Sequence, residues 1–288
     1  MTRIAIVTDS AANIPADIRR DTGVTVVPVK LHLDGQLYRD EIDMSAGRFY
    51  SLLRASPDMD IKTASPSVGD FAGVYGELAS RADAIVSIHV AGALSGTFAA
   101  ATQAAALASS SLEGMPIRVI DSRSASMACG FAVLAAAKAA AAGSTLDEVV
   151  QRAEEVASRA LVVAALDTVR YVQRTGRVPA IAGLAGSVLH IRPYLCINRG
   201  RAVLLGVRRT MRRALERILD LTETRAGGRA LHAAVLHADA PDSAAFLHSE
   251  LARRCHCREL LTTEFTPVMG AAAGPGLAGV AYYPEDPA

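Results

Sequence analysis

Tryptophan is absent and the other aromatics are few, with six Phe and seven Tyr in 288 residues. The apolar bulk must come from Ala, Val, Leu and Ile, since hydrophobic residues still make up 51% of the chain and charged residues only 20%. That balance excludes a disordered polar chain. Lysine is nearly missing as well: only Lys30, Lys62 and Lys138 stand among 30 basic residues. Four Cys in this length argue against a disulfide scaffold. Cys255 and Cys257 flank His256, but without a second cluster at ligand spacing they make a poor zinc site. No apolar run reaches the ~20 residues of a membrane span, and the longest, Ala128 to Ala142, is interrupted by Lys138. The opening Met1-Thr2-Arg3 before Ile4-Ala5-Ile6-Val7 lacks the length and cleavage pattern of a signal peptide. A soluble cytoplasmic protein is expected.

What is present is order along the chain. Ile4 to Val7, Val24 to Leu33, Ala84 to Val90 and Ile117 to Ile120 read as strands. Helical segments stand between them: one capped by Asn13 and opened by Pro15, one from Ser45 with Phe49, Leu52 and Leu53 on one side, one begun by Ser65-Pro66, and one from Ser95 to Ser109. This alternation predicts βαβ units and a mainly parallel sheet. From about residue 160 the texture changes. Leu161 to Leu166 reads as a strand, and Tyr194 to Leu205 as a hairpin turning at Asn198-Arg199-Gly200-Arg201. Helices over Arg208 to Thr222 and Ser243 to Arg254 bracket a strand at Leu231 to His237. The expected organisation is an α/β domain over 1–160 and an α+β domain over 161–288.

Two motifs fail on context. Gly274-Pro275-Gly276-Leu277-Ala278-Gly279 fits G-x-G-x-x-G, yet too few residues follow it for a dinucleotide-binding βαβ unit. Gly92-Ala93-Leu94-Ser95-Gly96 resembles a nucleophile elbow with its glycines misplaced. A hydrolase using Ser95 is therefore the weaker alternative. Ser95-Gly96-Thr97 fits better as an anion site, because it follows a strand and opens a helix, where free N–H groups and the positive helix end converge. Thr63-Ala64-Ser65-Pro66-Ser67 repeats the pattern, and two such starts at neighbouring strand ends would share one crevice. The site is too poor in cations for a di- or triphosphate, so a single anionic head group is expected. Arg170 to Arg229 carries 13 Arg, no Lys and three acids, a net +10 inside a chain whose total is +1. Arg209, Arg213 and Arg217 fall at i, i+4 and i+8, with Arg208 and Arg212 beside them. Phosphate, an acidic partner or anionic lipid suits such a region; the lack of interleaved aromatics disfavours nucleic acid.

The motifs in this order resemble the DegV family, the fatty-acid-binding group that includes the FakB subunits of bacterial fatty acid kinase. Val7-Thr8-Asp9-Ser10 with Asn13-Ile14-Pro15 resembles the family's VTDS…DLP opening, Thr63 to Ser67 its TSQPS, and Leu94 to Phe98 its LSGTY. Thr175 to Val178 resembles GGRI, Ile191 to Leu195 resembles IKPIL, and Val207 to Thr210 the arginine-rich stretch that follows. The resemblance spans nearly the whole chain. It implies a two-domain α/β fold whose C-terminal sheet is mixed, with a long-chain fatty acid in an apolar tunnel between the domains and no further cofactor. Thr63, Ser95, Gly96 and Thr97 would hold the carboxylate, while Arg177, Arg208 and Arg209 would serve phosphate or a separate acyl-kinase partner. Gly270 to Gly276 stands where the family reads GTHVGPG, so Ala272 replaces the family's His. His89, close before the Ser95 loop, is the candidate substitute. A regulatory lipid-binding module without a kinase is a further alternative.

Overall fold

The structure, a computed structural model, describes residues 2–112, 114–178 and 191–285. Strands β1 (Ile4–Asp9) and β2 (Thr25–Val27) flank helix α1 (Ala16–Thr22), and β3 (Lys30–Leu33) and β4 (Gln36–Arg39) form a hairpin ahead of α2 (Ala46–Ala55). Next come β5 (Ile61–Ala64), α3 (Val68–Ala79), β6 (Ala84–His89), α4 (Thr97–Ser111) and β7 (Ile117–Asp121). Two successive helices, α5 (Ser126–Ala141) and α6 (Leu146–Arg159), lead into β8 (Leu161–Ala165) and α7 (Arg170–Thr175). Hairpin β9 (Arg192–Asn198) and β10 (Arg201–Arg208) is followed by α8 (Met211–Ala226), β11 (Leu231–His237) and α9 (Pro241–Arg254). Strand β12 (Cys257–Glu264), α10 (Pro267–Ala273) and β13 (Ala278–Pro284) complete the described chain.

Four strands in the order β2-β1-β6-β7 make an all-parallel sheet. A small antiparallel sheet, β4-β3-β5, stands apart from it. The six-stranded sheet β10-β9-β8-β13-β11-β12 is mixed, with β11 and β12 parallel and the other neighbours antiparallel. The α/β architecture with one parallel and one mixed sheet is therefore as expected. Helix α5 lies between the two larger sheets and touches β1 and β6 on one side, β8 and β13 on the other. That placement explains its composition, since a helix covered on both sides needs small apolar residues all round rather than one apolar stripe.

Several local expectations need correction. The run Val24 to Leu33 is two strands in two different sheets, parted at Pro28, which has no N–H for a ladder. Thr63, at the end of β5, therefore does not neighbour the end of β6 within one sheet. Pro66 lies outside α3, whose N-cap is Ser67 in a capping box with Asp70. Leu52 is exposed, and Tyr50 joins Phe49 and Leu53 on the buried side of α2. Asn13 caps no α-helix: with φ +57° it closes a 3-10 turn and turns its amide toward the distant end of β12 and the residues just beyond it. There Nδ2 donates to Thr263 Oγ1 at 2.9 Å, and Oδ1 accepts from Thr266 N at 3.0 Å.

Close packing of β13 on β8 makes one glycine obligatory. A Cβ on Gly279 would lie 2.4 Å from Val163 O and 2.6 Å from Ala164 Cα, both backbone atoms of the adjacent strand. Gly279→Ala should therefore lower unfolding stability by about 1–3 kcal/mol, the usual range for overpacking. Urea denaturation checks this, and an unchanged midpoint would mean the strands part without cost.

Candidate functional site

An open cavity, roughly 1030 Å³ with the solvent space at its mouth included, lies among residues of the six-stranded sheet, of β5, of α10 and of the loops that follow β1 and β6. Its inner wall is aliphatic, with Val162 and Ala164 from β8, Leu195 and Ile197 from β9, and Val268 from α10. Phe265 is the sole aromatic lining residue among those described. Six lining residues carry polar side chains: Thr63, Ser65, Ser95, Ser126, Thr175 and Arg177.

Most of these converge at the mouth. Thr63 lies near the end of β5 and Ser65 just after it, while Ser95 lies in the loop between β6 and α4; all three are half-buried. Their loops meet although their strands belong to separate sheets, and Gly96 explains how: a Cβ there would lie 3.0 Å from Ser65 Oγ. Ser95 Oγ accepts from Thr97 N at 3.3 Å and sits 2.8 Å from Thr97 Oγ1, which fixes its hydroxyl at the start of α4. Thr97 itself is fully buried behind Ser95 and is not part of the cavity wall, and neither is Gly96.

Arg177 follows α7 through Gly176, whose φ of +63° turns the chain out of the helix. Its Nε donates to Leu94 O at 2.8 Å and its Nη2 to Thr63 Oγ1 at 3.4 Å, so one guanidinium bridges the two hydroxyl-bearing loops. Among the described residues it is the only charged one lining the cavity. A second recess shares Thr63, Thr175 and Arg177 with this mouth and adds Lys62 and Arg174. The positive charge at the mouth is thus denser than the sequence reading anticipated.

Arg208 and Arg209 stand elsewhere. Arg208 ends β10 with its guanidinium 5.3 Å above the Tyr194 ring, and Arg209 is exposed in the bend before α8. Because α8 begins at Met211, the expected three-arginine stripe is shortened to Arg213 and Arg217, with Arg212 paired to Glu216 at 2.9 Å. His89 does not reach the cavity either. It is fully buried, with Nδ1 3.0 Å from Asp9 Oδ2 and Nε2 2.7 Å from Ser87 Oγ. Ser87 is itself fully buried against Tyr75 Oη, so this Asp–His–Ser series has no face for a substrate. Ser95 has Thr97, not a histidine, as its hydroxyl partner. Ala272 lines the cavity without a polar group.

Helix α10, which supplies Met269, Ala272 and Ala273 to the wall, is pinned to the first half of the chain. Asp40 Oδ1 accepts from Val268 N at 3.1 Å, and Tyr50 Oη donates to Phe265 O at 3.2 Å. Burial pushes the Asp40 carboxyl up to about 6, although hydrogen bonds from Ser10, Thr266 and Val268 oppose the rise. Its Oδ2 has no hydrogen-bond partner.

A family model described as an uncharacterised protein of the DegV family matches residues 3–285. The chain belongs to the DegV family. A DegV domain-containing protein of Streptomyces coelicolor is 38% identical over 279 residues, covering 96% of this chain and 97% of its own. Among solved structures, a DegV family protein of Thermus thermophilus, described by its fatty acid binding, is 31% identical with a TM-score of 0.89. It covers 98% of this chain and 100% of its own. DegV of Bacillus subtilis, described as a fatty acid binding protein, is 28% identical with a TM-score of 0.87, covering 99% and 100% of the two chains.

Proposed function

We propose that this DegV family protein is a cytoplasmic carrier of long-chain fatty acids. The observation that carries the reading is an aliphatic cavity with hydroxyls and one guanidinium gathered at its mouth. An acyl chain needs such a shape. Burying sixteen carbons at ~0.8 kcal/mol per CH₂ offers about 12 kcal/mol before losses, while the carboxylate must keep donors to avoid a large desolvation cost. Thr63 and Ser95 hold the carboxylate, Thr97 keeps the Ser95 hydroxyl in place, and Gly96 leaves room for the facing loop. The fatty-acid-binding relatives from Thermus thermophilus and Bacillus subtilis support the same ligand class.

In this reading residues 1–160 form the domain that carries the head-group site, and 161–288 the domain that closes the acyl tunnel. The chain acts as a binding protein without a nucleophile of its own, and it presents the carboxylate to a separate ATP-dependent acyl kinase. Arg177 neutralises phosphate at the mouth, where Lys62 and Arg174 add charge, and Arg208 and Arg209 dock the partner. Reversing both Arg208 and Arg209 to Glu should weaken kinase association while leaving fatty-acid affinity unchanged. Pull-down and ligand titration on the same sample separate the two effects.

Native mass spectrometry of purified protein should show a co-purified acyl chain. Delipidated protein given free fatty acid at about 100 times its Kd should gain roughly 2.7 kcal/mol of stability by mass action. Folded protein that is ligand-free and unaffected by added long-chain acids would refute the carrier reading.

A further inference from the structure

Ser126 is a polar lining residue that the head-group site leaves unused. It is 1% exposed, whereas Thr63, Ser65 and Ser95 at the mouth are half-buried, so it lies deeper in the cavity than they do. Among the described residues its Oγ has no hydrogen-bond partner, and neither has the buried Oγ of Ser124 beside it. Ser126 also has a φ of +51°, a left-handed conformation that serine adopts at a cost. It is the first residue of the sixteen-residue helix α5, whose N-cap Ala125 makes no side-chain hydrogen bond to the first turn. An unpaired hydroxyl, a strained backbone and an uncapped helix start therefore coincide on one patch of an otherwise aliphatic wall. Buried hydroxyls are normally paired, so the coincidence points to a partner that arrives with the ligand.

We propose that Ser126 and the open first turn of α5 form a second polar subsite, which takes a hydroxyl carried on the acyl chain. The preferred ligand is then a hydroxylated long-chain acid. The inference rests on the fatty-acid reading and specifies the ligand within it. A hydroxyl matches both halves of the subsite, since it accepts from the positive helix end and exchanges a hydrogen bond with Ser126. A second carboxylate does not match, because Arg177 is the only charged lining residue among those described and it belongs to the mouth. An unsubstituted chain would leave Ser126 unpaired, which is how a site built for a hydrogen bond discriminates against the analogue that lacks it.

The test compares stearic acid with 3-, 10- and 12-hydroxystearic acids on delipidated wild-type, Ser126→Ala and Ser126→Gly proteins. Glycine tolerates the positive φ, so that variant removes the hydroxyl without backbone strain. At least one hydroxystearate should bind the wild type roughly ten-fold tighter than either variant, while stearate binds all three within about three-fold. The inference is overturned if no hydroxystearate is affected by the substitutions. It is equally overturned if stearate and the hydroxystearates lose affinity alike, since Ser126 would then be holding the carboxylate. Failure of stearate and every hydroxystearate to bind the wild type would instead remove the carrier reading, and the subsite with it.

Discussion

Thr63→Val combined with Ser95→Ala should weaken long-chain fatty-acid binding by about 100-fold or more, because hydrogen bonds to a charged group contribute roughly 1.5–3 kcal/mol each. Both side chains line the mouth, and both substitutions nearly preserve shape. Some loss of stability accompanies Ser95→Ala, since Thr97 N gives up its acceptor. Displacement of a fluorescent fatty acid measures the affinity, and circular dichroism checks that the fold survives. A methyl ester supplies the control: it should bind the wild type far more weakly than the free acid, and the double variant no more weakly than the acid. Affinity for the acid within three-fold of wild type would place the carboxylate elsewhere.

The second large effect concerns pH. Asp40 is buried, and its carboxyl titrates near 6 rather than at its ordinary 3.8. Its folded pKa is raised, so the contribution it makes as a neutral acid is fully present below the unfolded value and is lost as pH rises through about 6. Between pH 4 and pH 7 the wild type should lose about 2 kcal/mol from this group, which Asp40→Asn cannot lose. Absolute stabilities of the two proteins matter less than how their difference moves, because the Asn amide also leaves a buried atom in place of the unpaired Oδ2. Parallel stability profiles for the two proteins across that range would show that Asp40 is not held in the acid form. Since Asp40 accepts from Val268 at the start of α10, the same titration acts on the wall formed by Met269, Ala272 and Ala273.

Much of this was legible in the residues themselves. Turn chemistry marked the β9–β10 hairpin, where Arg199 and Gly200 both take positive φ as a tight turn requires. Hydroxyls clustered at helix starts pointed to Thr63 and Ser95, and both line the cavity. Helix α5 was hidden because a helix buried on nearly every side lacks the polar face that periodicity detects. Strand β13 was hidden for a related reason: all seven of its residues are buried, and the glycines before it imitate a nucleotide loop. Ser126 gave no signal at all. Its importance depends on burial, φ and the lack of a partner, none of which a serine-rich stretch announces. Arg177 was read as a phosphate or partner contact; its place in the cavity wall depends on the turn at Gly176 and on loops more than eighty residues away.

The position of β13 also bears on when the cavity can come into being. Residues 278–284 run between β8 and β11, inside the six-stranded sheet rather than at its edge. Until that strand has left the ribosome, β8 has no neighbour on that side, and Leu277 cannot take its place in the wall. Domains fold largely as units during synthesis, the first-made part ahead of the rest. The parallel sheet can assemble early in translation, yet the cavity wall cannot be completed before residues 278–284 are delivered. A ribosome stalled short of residue 278 therefore holds a nascent chain without this cavity.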